Sequence, residues 1–470
     1  MKMNGPAPGS GLRRVVGGPG FFALAFGSIV GSGWVVVLGD WLKSAGPGGT
    51  LVGFGFGAAT TVLFALCYGE LAGRSPRAGA EFLYVLEIFG VRAGFFAAWY
   101  LTLYAIAVCA FEGVALGWVL RTLWPGLEIG TAYRFLGASV TWGALAVGVI
   151  GTLLISAVHY AGAQFAIRFQ TFVTFGFILT SAVLIAIALA LGSTENLRPM
   201  FPVAPETKTN GVLWIFATSA FFLNGWQTAL HAIEERRATT TIGGAISGTV
   251  GAILTAALFY SLLVVAAGSA VPWRELPRQD LPAVAAFRSL NGSLGTVLLV
   301  AAGVSLTKTW SAMVWVASRL VFAQARSGLL PAMFLRVAPG SGVPRAAVVA
   351  VAWVTLLGIL AGHGAVVPIV NMVSTCVALS IILCLVALLR IRRDGGVPSG
   401  FTVPGGTPTI IAALIGAIAM VGIALGKPLI DNPWTLPVEW ALLLIWGAAG
   451  IVLRAAVFIR SVGKAARGEG

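Results

Sequence analysis

Apolar residues in this chain fall in long, nearly unbroken runs, not at the spacing of two that marks a half-buried strand. About twelve runs approach or reach the roughly 20 residues that a bilayer-spanning helix needs. They cover 19–41, 48–73, 91–120, 136–158, 164–192, 211–233, 243–269, 295–324, 344–361, 366–390, 408–426 and 437–459. Polar linkers carrying Pro and Gly separate them, such as Ser193 to Asn210 and Val271 to Gly292. The pattern predicts an all-α integral membrane protein of about 12 transmembrane helices.

Two of these runs carry an internal weak point. Gly31-Ser32-Gly33 lies in the middle of the first, and Asn224-Gly225 lies near the middle of the sixth. Glycine is a poor helix former, so both helices are expected to unwind there. Unwound backbone at membrane depth is tolerated only where it faces protein or a water-filled cavity. The first and sixth runs are five apart, so two five-helix repeats would place them in corresponding positions with opposite orientation. Interrupted spans at matching places in two inverted halves point to a transporter's substrate site. Close helix packing is the ordinary role of glycine in a membrane. It accounts for most of the 61 glycines here, but not for matched breaks.

Composition narrows the class further. The chain is 58% hydrophobic and 10% charged, against roughly 25% charged residues in a soluble domain. The net charge of +14 does not indicate a nucleic-acid partner, because the basic residues are scattered between apolar runs. With the N-terminus placed in the cytoplasm, 20 of the 30 Lys and Arg fall on the inner side and 9 on the outer, leaving Lys308 within a span. This bias predicts both termini inside, in a multi-pass protein of the cell (inner or plasma) membrane. Arg13 and Arg14 precede the first run, which is too long for a signal peptide and lacks a convincing cleavage site. Cys67, Cys109, Cys376 and Cys384 lie inside apolar runs and read as small buried hydrophobes. There is no metal-ligand constellation, no nucleophile–base pair and no phosphate-binding loop. The expectation is a protein that is not an enzyme and holds no cofactor. Its partners would be a small-molecule substrate and membrane lipid.

Five motifs carry a resemblance. They are GSIVGSGW (Gly27 to Trp34), ELAGRSPRAGAEFLYV (Glu70 to Val85), FFLNGWQTALHAIEE (Phe221 to Glu235), SRLVFAQARSGLLP (Ser318 to Pro331) and FTVPGGTP (Phe401 to Pro408). In this order they resemble signatures of the amino acid–polyamine–organocation transporter superfamily. The resemblance implies the leucine-transporter fold, a 5+5 inverted repeat plus two peripheral helices. Residues 19–192 would form the first repeat, 211–393 the second and 408–460 the peripheral pair, between a cytoplasmic segment 1–18 and a tail 461–470. It also implies a secondary active transporter of amino acids or related amines, working by alternating access. Coupling to protons or exchange is expected, with sodium as a further possible coupling ion. A polyamine- or ethanolamine-like cation carrier is an alternative, motivated by Glu112. A non-transporting sensor with a transporter-like body is the alternative of another class.

The same resemblance assigns roles. Free N–H groups at Ser32 and Gly33, beside Gly31, would face a substrate carboxylate at the positive end of the following half-helix. Carbonyls around Ile29 and Val30 would accept from an ammonium, helped by those near Phe222 and Leu223. Asn224, beside Gly225, would add its amide. Phe221, Phe222 and Trp226 would close over the substrate as an aromatic lid, ordinary packing being the alternative. Glu112 and Lys308 are charges well inside spans, which by default suggests a function. They are read as an ion pair that gates or titrates, as a static pair, or as a carboxylate for a cationic side chain with a lysine that repels or shuttles a proton. His231, a turn before Glu234 and Glu235, reads as a proton relay or as an ordinary hydrogen-bonded histidine. His159 and His363 read as interface or loop residues. Glu70, Arg74 and Arg77 are expected to tie the end of the second helix to its loop.

Overall fold

A computed structural model describes residues 12–135, 138–202, 205–279, 281–362, 366–396, 400–431 and 438–466, without the side chains of 36, 205–210, 220–221, 366–371, 373–374, 424–431, 438–439 and 456–466. The first apolar run is broken as expected. Helix α1 (Gly18–Ile29) begins at a favourable Pro19 and stops before Val30, and α2 (Trp34–Arg74) starts four residues later. The second run follows as a helical section of its own: Gly46 (φ 66°, ψ 177°), just before Pro47, lies outside helical geometry and divides α2 into two sections there. The bend keeps its polar groups bonded: Thr50 Oγ1 donates to the Gly46 carbonyl at 2.7 Å, and Gly48 N–H donates to Met200 O at 2.7 Å.

Helix α3 (Glu81–Leu123) bends at Gly90 (φ 83°), which separates a short first section from the spanning part. A small antiparallel hairpin follows, β1 (Thr131–Phe135) and β2 (Ala138–Thr141). The apolar pattern had merged its second strand into the fourth run. Next come α4 (Trp142–Ala161), α5 (Ala163–Leu191), α6 (Pro205–Phe222), the single turn α7 (Thr228–His231) and α8 (Ile242–Ala270). A short helix α9 (Pro282–Leu290), inside a stretch read as linker, leads into α10 (Gly292–Arg326). The bundle closes with α11 (Arg345–Ile359), α12 (Val366–Arg393), α13 (Thr407–Asp431) and α14 (Val438–Ala466). Among the described residues, seven helices are long and apolar enough to cross a membrane.

Burial runs opposite to that of a water-soluble domain. Phe172 is 80% exposed and Leu179 68%, while Glu112, Lys308 and Arg319 are at most 2% exposed. An apolar exterior of this extent needs lipid against it, and the buried charges mark the interior as the working part. The protein is therefore a multi-pass helical membrane bundle. Helices α3 and α10 form its centre, and α1 packs against α5, α8 and α10. At the periphery α14 is clasped to α3 by two tryptophans stacked at 4.5 Å. Trp99 Nε1 donates to Trp446 O at 2.8 Å and Trp446 Nε1 donates to Trp99 O at 3.0 Å.

Candidate functional site

The break between α1 and α2 exposes helix-terminal carbonyls and amides, and their accounts differ sharply. A helix end leaves its last carbonyls without intrahelical donors, and here side chains of α8 and α10 supply them. Tyr260 OH donates to Ile29 O at 3.2 Å. Ser305 Oγ lies 2.8 Å from both Val30 O and Gly31 O, and Trp34 Nε1 donates to Gly31 O at 2.7 Å. Thr309 Oγ1 donates to Gly27 O at 2.8 Å. Lys308 Nζ donates to Val30 O and, at 3.4 Å, to Gly27 O. The Ile29 and Val30 carbonyls read from the sequence as free for a ligand are thus already bonded. By contrast, the N–H groups of Ser32, Gly33 and Trp34 at the start of α2 have no acceptor among the described residues.

The sixth run breaks where Asn224-Gly225 suggested. Helix α6 ends at Phe222 and α7 begins at Thr228. Gly225 has φ +103°, which L side chains avoid. The site of its missing Cβ lies 2.6 Å from Ser28 O. Ser28 Oγ also donates to Thr228 Oγ1 at 2.7 Å. The two breaks therefore sit side by side, in backbone contact. Asn224 is not free to meet a ligand in this arrangement. Gln227 Nε2 donates to its Oδ1 at 3.0 Å, and its Nδ2 lies 3.4 Å from Tyr104 OH.

The expected lid divides. Phe222 lies against the first break, its Cε1 3.3 Å from the place of a Gly33 Cβ. Its ring is part of an aromatic box with Trp41 at 4.8 Å and Tyr260 at 6.0 Å. Trp226 faces elsewhere, buried edge-on against Tyr68 at 4.9 Å. Leu223 is buried. The Phe221 side chain lies outside the described residues. Gly33 itself is right-handed (φ −53°, ψ −30°), so it needs no glycine-only backbone angle.

Glu112 reaches the first break, but not Lys308. Its Oε1 lies 3.5 Å from the position of a Gly31 Cβ, and its buried Oε2 has no hydrogen-bond partner among the described residues. No direct ion pair joins Glu112 to Lys308. The lysine turns to the α1 carbonyls instead and lies 4.7 Å from the centre of the Phe177 ring.

Other buried charges tie one end of the bundle together. His231 Nε2 sits 2.9 Å from Glu81 Oε2, both side chains 2% exposed. Arg319 grips Glu235 with two bonds of 2.8 and 3.0 Å. Arg326 grips Glu234 at 2.8 and 2.9 Å, and Glu234 Oε2 also accepts from Ala78 N–H at 2.6 Å. Glu70 is bonded far from its own loop, to Arg392 at 2.8 Å and to Val403 N–H at 2.7 Å. Arg77 does stay local, paired with Glu87. His159, read as an interface residue, is buried and 3.0 Å from Ser311 Oγ. His363 lies outside the described residues. A surface groove lined by Trp118, Arg121, Thr141 and Ile359 lies beside the hairpin and apart from the two breaks.

Sequence reasoning missed Ser305, Thr309, Tyr260, Ser28 and Thr228. The signal for two of them was present: Ser305, Lys308 and Thr309 recur at spacings of three and four, one face of a helix.

The chain is similar to known transporters. The methylthioribose transporter of Bacillus subtilis (strain 168) is 25% identical over 447 residues, 92% of this chain and 90% of that protein. The branched-chain amino acid permease BcaP of the same organism is 25% identical over 457 residues, 94% and 92% of the two chains. The human Asc-type amino acid transporter 1 is 26% identical over 343 residues, 70% of this chain and 63% of that protein. The family model described as Amino acid permease matches residues 17–448. That match spans most of the chain, which belongs to the amino acid permease family.

Proposed function

We propose that this protein is a secondary active transporter that moves an amino acid or related amine across the cell membrane by alternating access. The observation that carries the reading is the pair of broken helices in direct contact, α1/α2 at 30–33 and α6/α7 at 223–227. Backbone opened inside a membrane bundle supplies dipoles for a small charged solute. In this reading the chain has 12 transmembrane helices in a leucine-transporter-like 5+5 inverted repeat with α13 and α14 peripheral. Both termini are cytoplasmic, as the distribution of Lys and Arg favours. The N–H groups of Ser32 and Gly33 receive the substrate carboxylate, and Phe222 closes over it. The ionic clasps at Glu234 and Glu235 hold one entrance shut.

Lys308 supplies a built-in cation at the end of α1. The oxygens of Gly27, Val30, Ser305 and Thr309 converge on that place. A sodium ion would need the same oxygens, so this arrangement favours proton coupling or exchange. The test is uptake into proteoliposomes of purified protein. Radiolabelled amino acids would be supplied under an imposed proton gradient, an imposed sodium gradient or internal unlabelled substrate. Uptake driven by the proton gradient or by exchange is expected. Absence of uptake for every amino acid and amine tested would reject the reading.

A further inference from the structure

The saturated carbonyls of the first break raise a question about the substrate's positive end. Ile29 O accepts from Tyr260, Val30 O from Lys308, Gly31 O from Trp34, and Gly27 O from Thr309 and Lys308, while the single Ser305 hydroxyl proton is shared between Val30 O and Gly31 O. An ammonium arriving there would meet carbonyls already committed, two of them, Gly27 O and Val30 O, beside the like charge of Lys308. One strong acceptor at the break remains uncommitted. Glu112 is 2% exposed, its Oε2 has no hydrogen-bond partner, and it lies alongside Gly31. A buried carboxylate without a partner is unfavourable, and a charge inside a membrane bundle normally has one. Among the described residues no Lys, Arg or His lies within ion-pair distance of it, Lys308 acting on it only through space, whereas six other carboxylates (Glu70, Glu81, Glu87, Glu128, Glu234 and Glu235) have such a partner.

We infer that Glu112, in place of the main-chain carbonyls of α1, accepts the substrate's ammonium, so that an amine is the obligatory part of any ligand. The inference rests on the transporter reading above and sharpens it. The site then has two unlike poles: the open N–H groups at the start of α2 for an anion, and the Glu112 carboxylate for a cation. That polarity fits a zwitterionic amino acid. It also fits a simple amine, which would use the Glu112 pole alone.

The experiment uses the full-length protein purified in detergent. Thermal stabilisation is measured with each of the twenty standard amino acids and with putrescine. The strongest binder is then compared with its counterpart lacking the amine, in wild-type protein and in Glu112→Gln and Glu112→Asp. The wild type should bind the amine and not its amine-free counterpart. Glu112→Gln should weaken amine binding by about 30-fold or more, as truncating one partner of a buried charge pair does. Glu112→Asp, which keeps the charge but withdraws it by one methylene, should weaken binding several-fold. This second variant decides the matter if Glu112→Gln does not fold. Wild-type affinity in either folded variant would overturn the inference while leaving the transporter reading intact. Stabilisation by none of the probes would count against the amine reading itself, and this inference would fall with it.

Discussion

The two breaks contain glycines that look alike in sequence but should answer the same substitution in opposite ways. At Gly225 an added methyl meets two obstacles. The backbone angle of +103° is one that L residues rarely adopt, worth about 1–3 kcal/mol of strain. The Cβ would also lie 2.6 Å from Ser28 O and 2.7 Å from Ser28 C. Backbone cannot swing aside as a side chain does, and overpacking of this kind adds about 1–3 kcal/mol. Gly225→Ala should therefore cost about 2–6 kcal/mol and push the two breaks apart. At Gly33 the backbone is already right-handed, and among the described residues the near neighbour is the Phe222 ring at 3.3 Å. There Gly→Ala reduces the freedom of the unfolded chain, worth about 0.4–1 kcal/mol of stabilisation, while it nudges the ring. Gly33→Ala should keep or raise stability yet impair uptake. Apparent melting by fluorescence-detected size exclusion, with uptake measured in parallel, reads both effects. Each kcal/mol moves a domain of 150–250 residues by about 2–4 °C, and a longer chain by less. Gly225→Ala should melt several degrees lower. A Gly225→Ala protein with wild-type melting would refute the close approach to Ser28. Failure of Gly33→Ala to fold would refute the conformation assigned to the start of α2.

Three further outcomes are expected. Glu235→Gln or Arg319→Met alone should lower stability by about 3–5 kcal/mol, because each leaves a buried partner of the 2.8 Å pair uncompensated; the double change should cost less than their sum in a melting cycle, and strict additivity would dissolve the clasp. Lys308→Met removes an expensive buried charge along with its bonds to α1, so melting should change by no more than about 2 kcal/mol while uptake is lost. Lys308→Arg should not restore uptake, since a planar guanidinium does not replace a compact ammonium between Gly27 and Val30, and normal uptake by Lys308→Met would remove the built-in cation from the mechanism. Trp99→Phe deletes one of two reciprocal bonds to α14 and should lower melting by the equivalent of about 1 kcal/mol, with Trp446→Phe much the same; the double variant should show less than the summed loss.

The broken helices were legible because glycines, Gly31 and Gly33 in one and Gly225 in the other, interrupt runs that otherwise need every residue to stay helical. In the sixth run Asn224-Gly225 falls inside the interruption between the end of α6 at Phe222 and the start of α7 at Thr228. What the sequence hid was the bonding at those breaks. Whether Val30 O is free depends on Ser305 and Lys308, about 275 residues away, and no local pattern carries that information. The same holds for Glu70, whose partner Arg392 is 322 residues distant, and for His231 with Glu81. The hairpin at 131–141 escaped because two short strands among apolar residues look like the start of a span. The division between the first two runs was legible because Gly-Pro ordinarily ends a helix; Gly46 leaves helical geometry there, and Thr50 and Met200 take up the polar groups at the bend.

The crowding of charge onto α10 has a consequence for how the molecule is made. This single helix carries Lys308, Arg319 and Arg326 together with Ser305 and Thr309, and most of its surface is covered by neighbours. A Lys or Arg at the centre of an isolated helix costs roughly 2.5–3.5 kcal/mol to insert from the translocation machinery. On leaving the ribosome, α10 is thus a poor candidate to enter lipid alone. The groups that receive its charges, the carbonyls at the end of α1 and the carboxylate of Glu235, all lie earlier in the chain. They have been synthesised, and can be waiting, by the time α10 emerges. The order of residues along the polypeptide therefore doubles as an assembly schedule, in which the acceptors are installed before the helix that needs them.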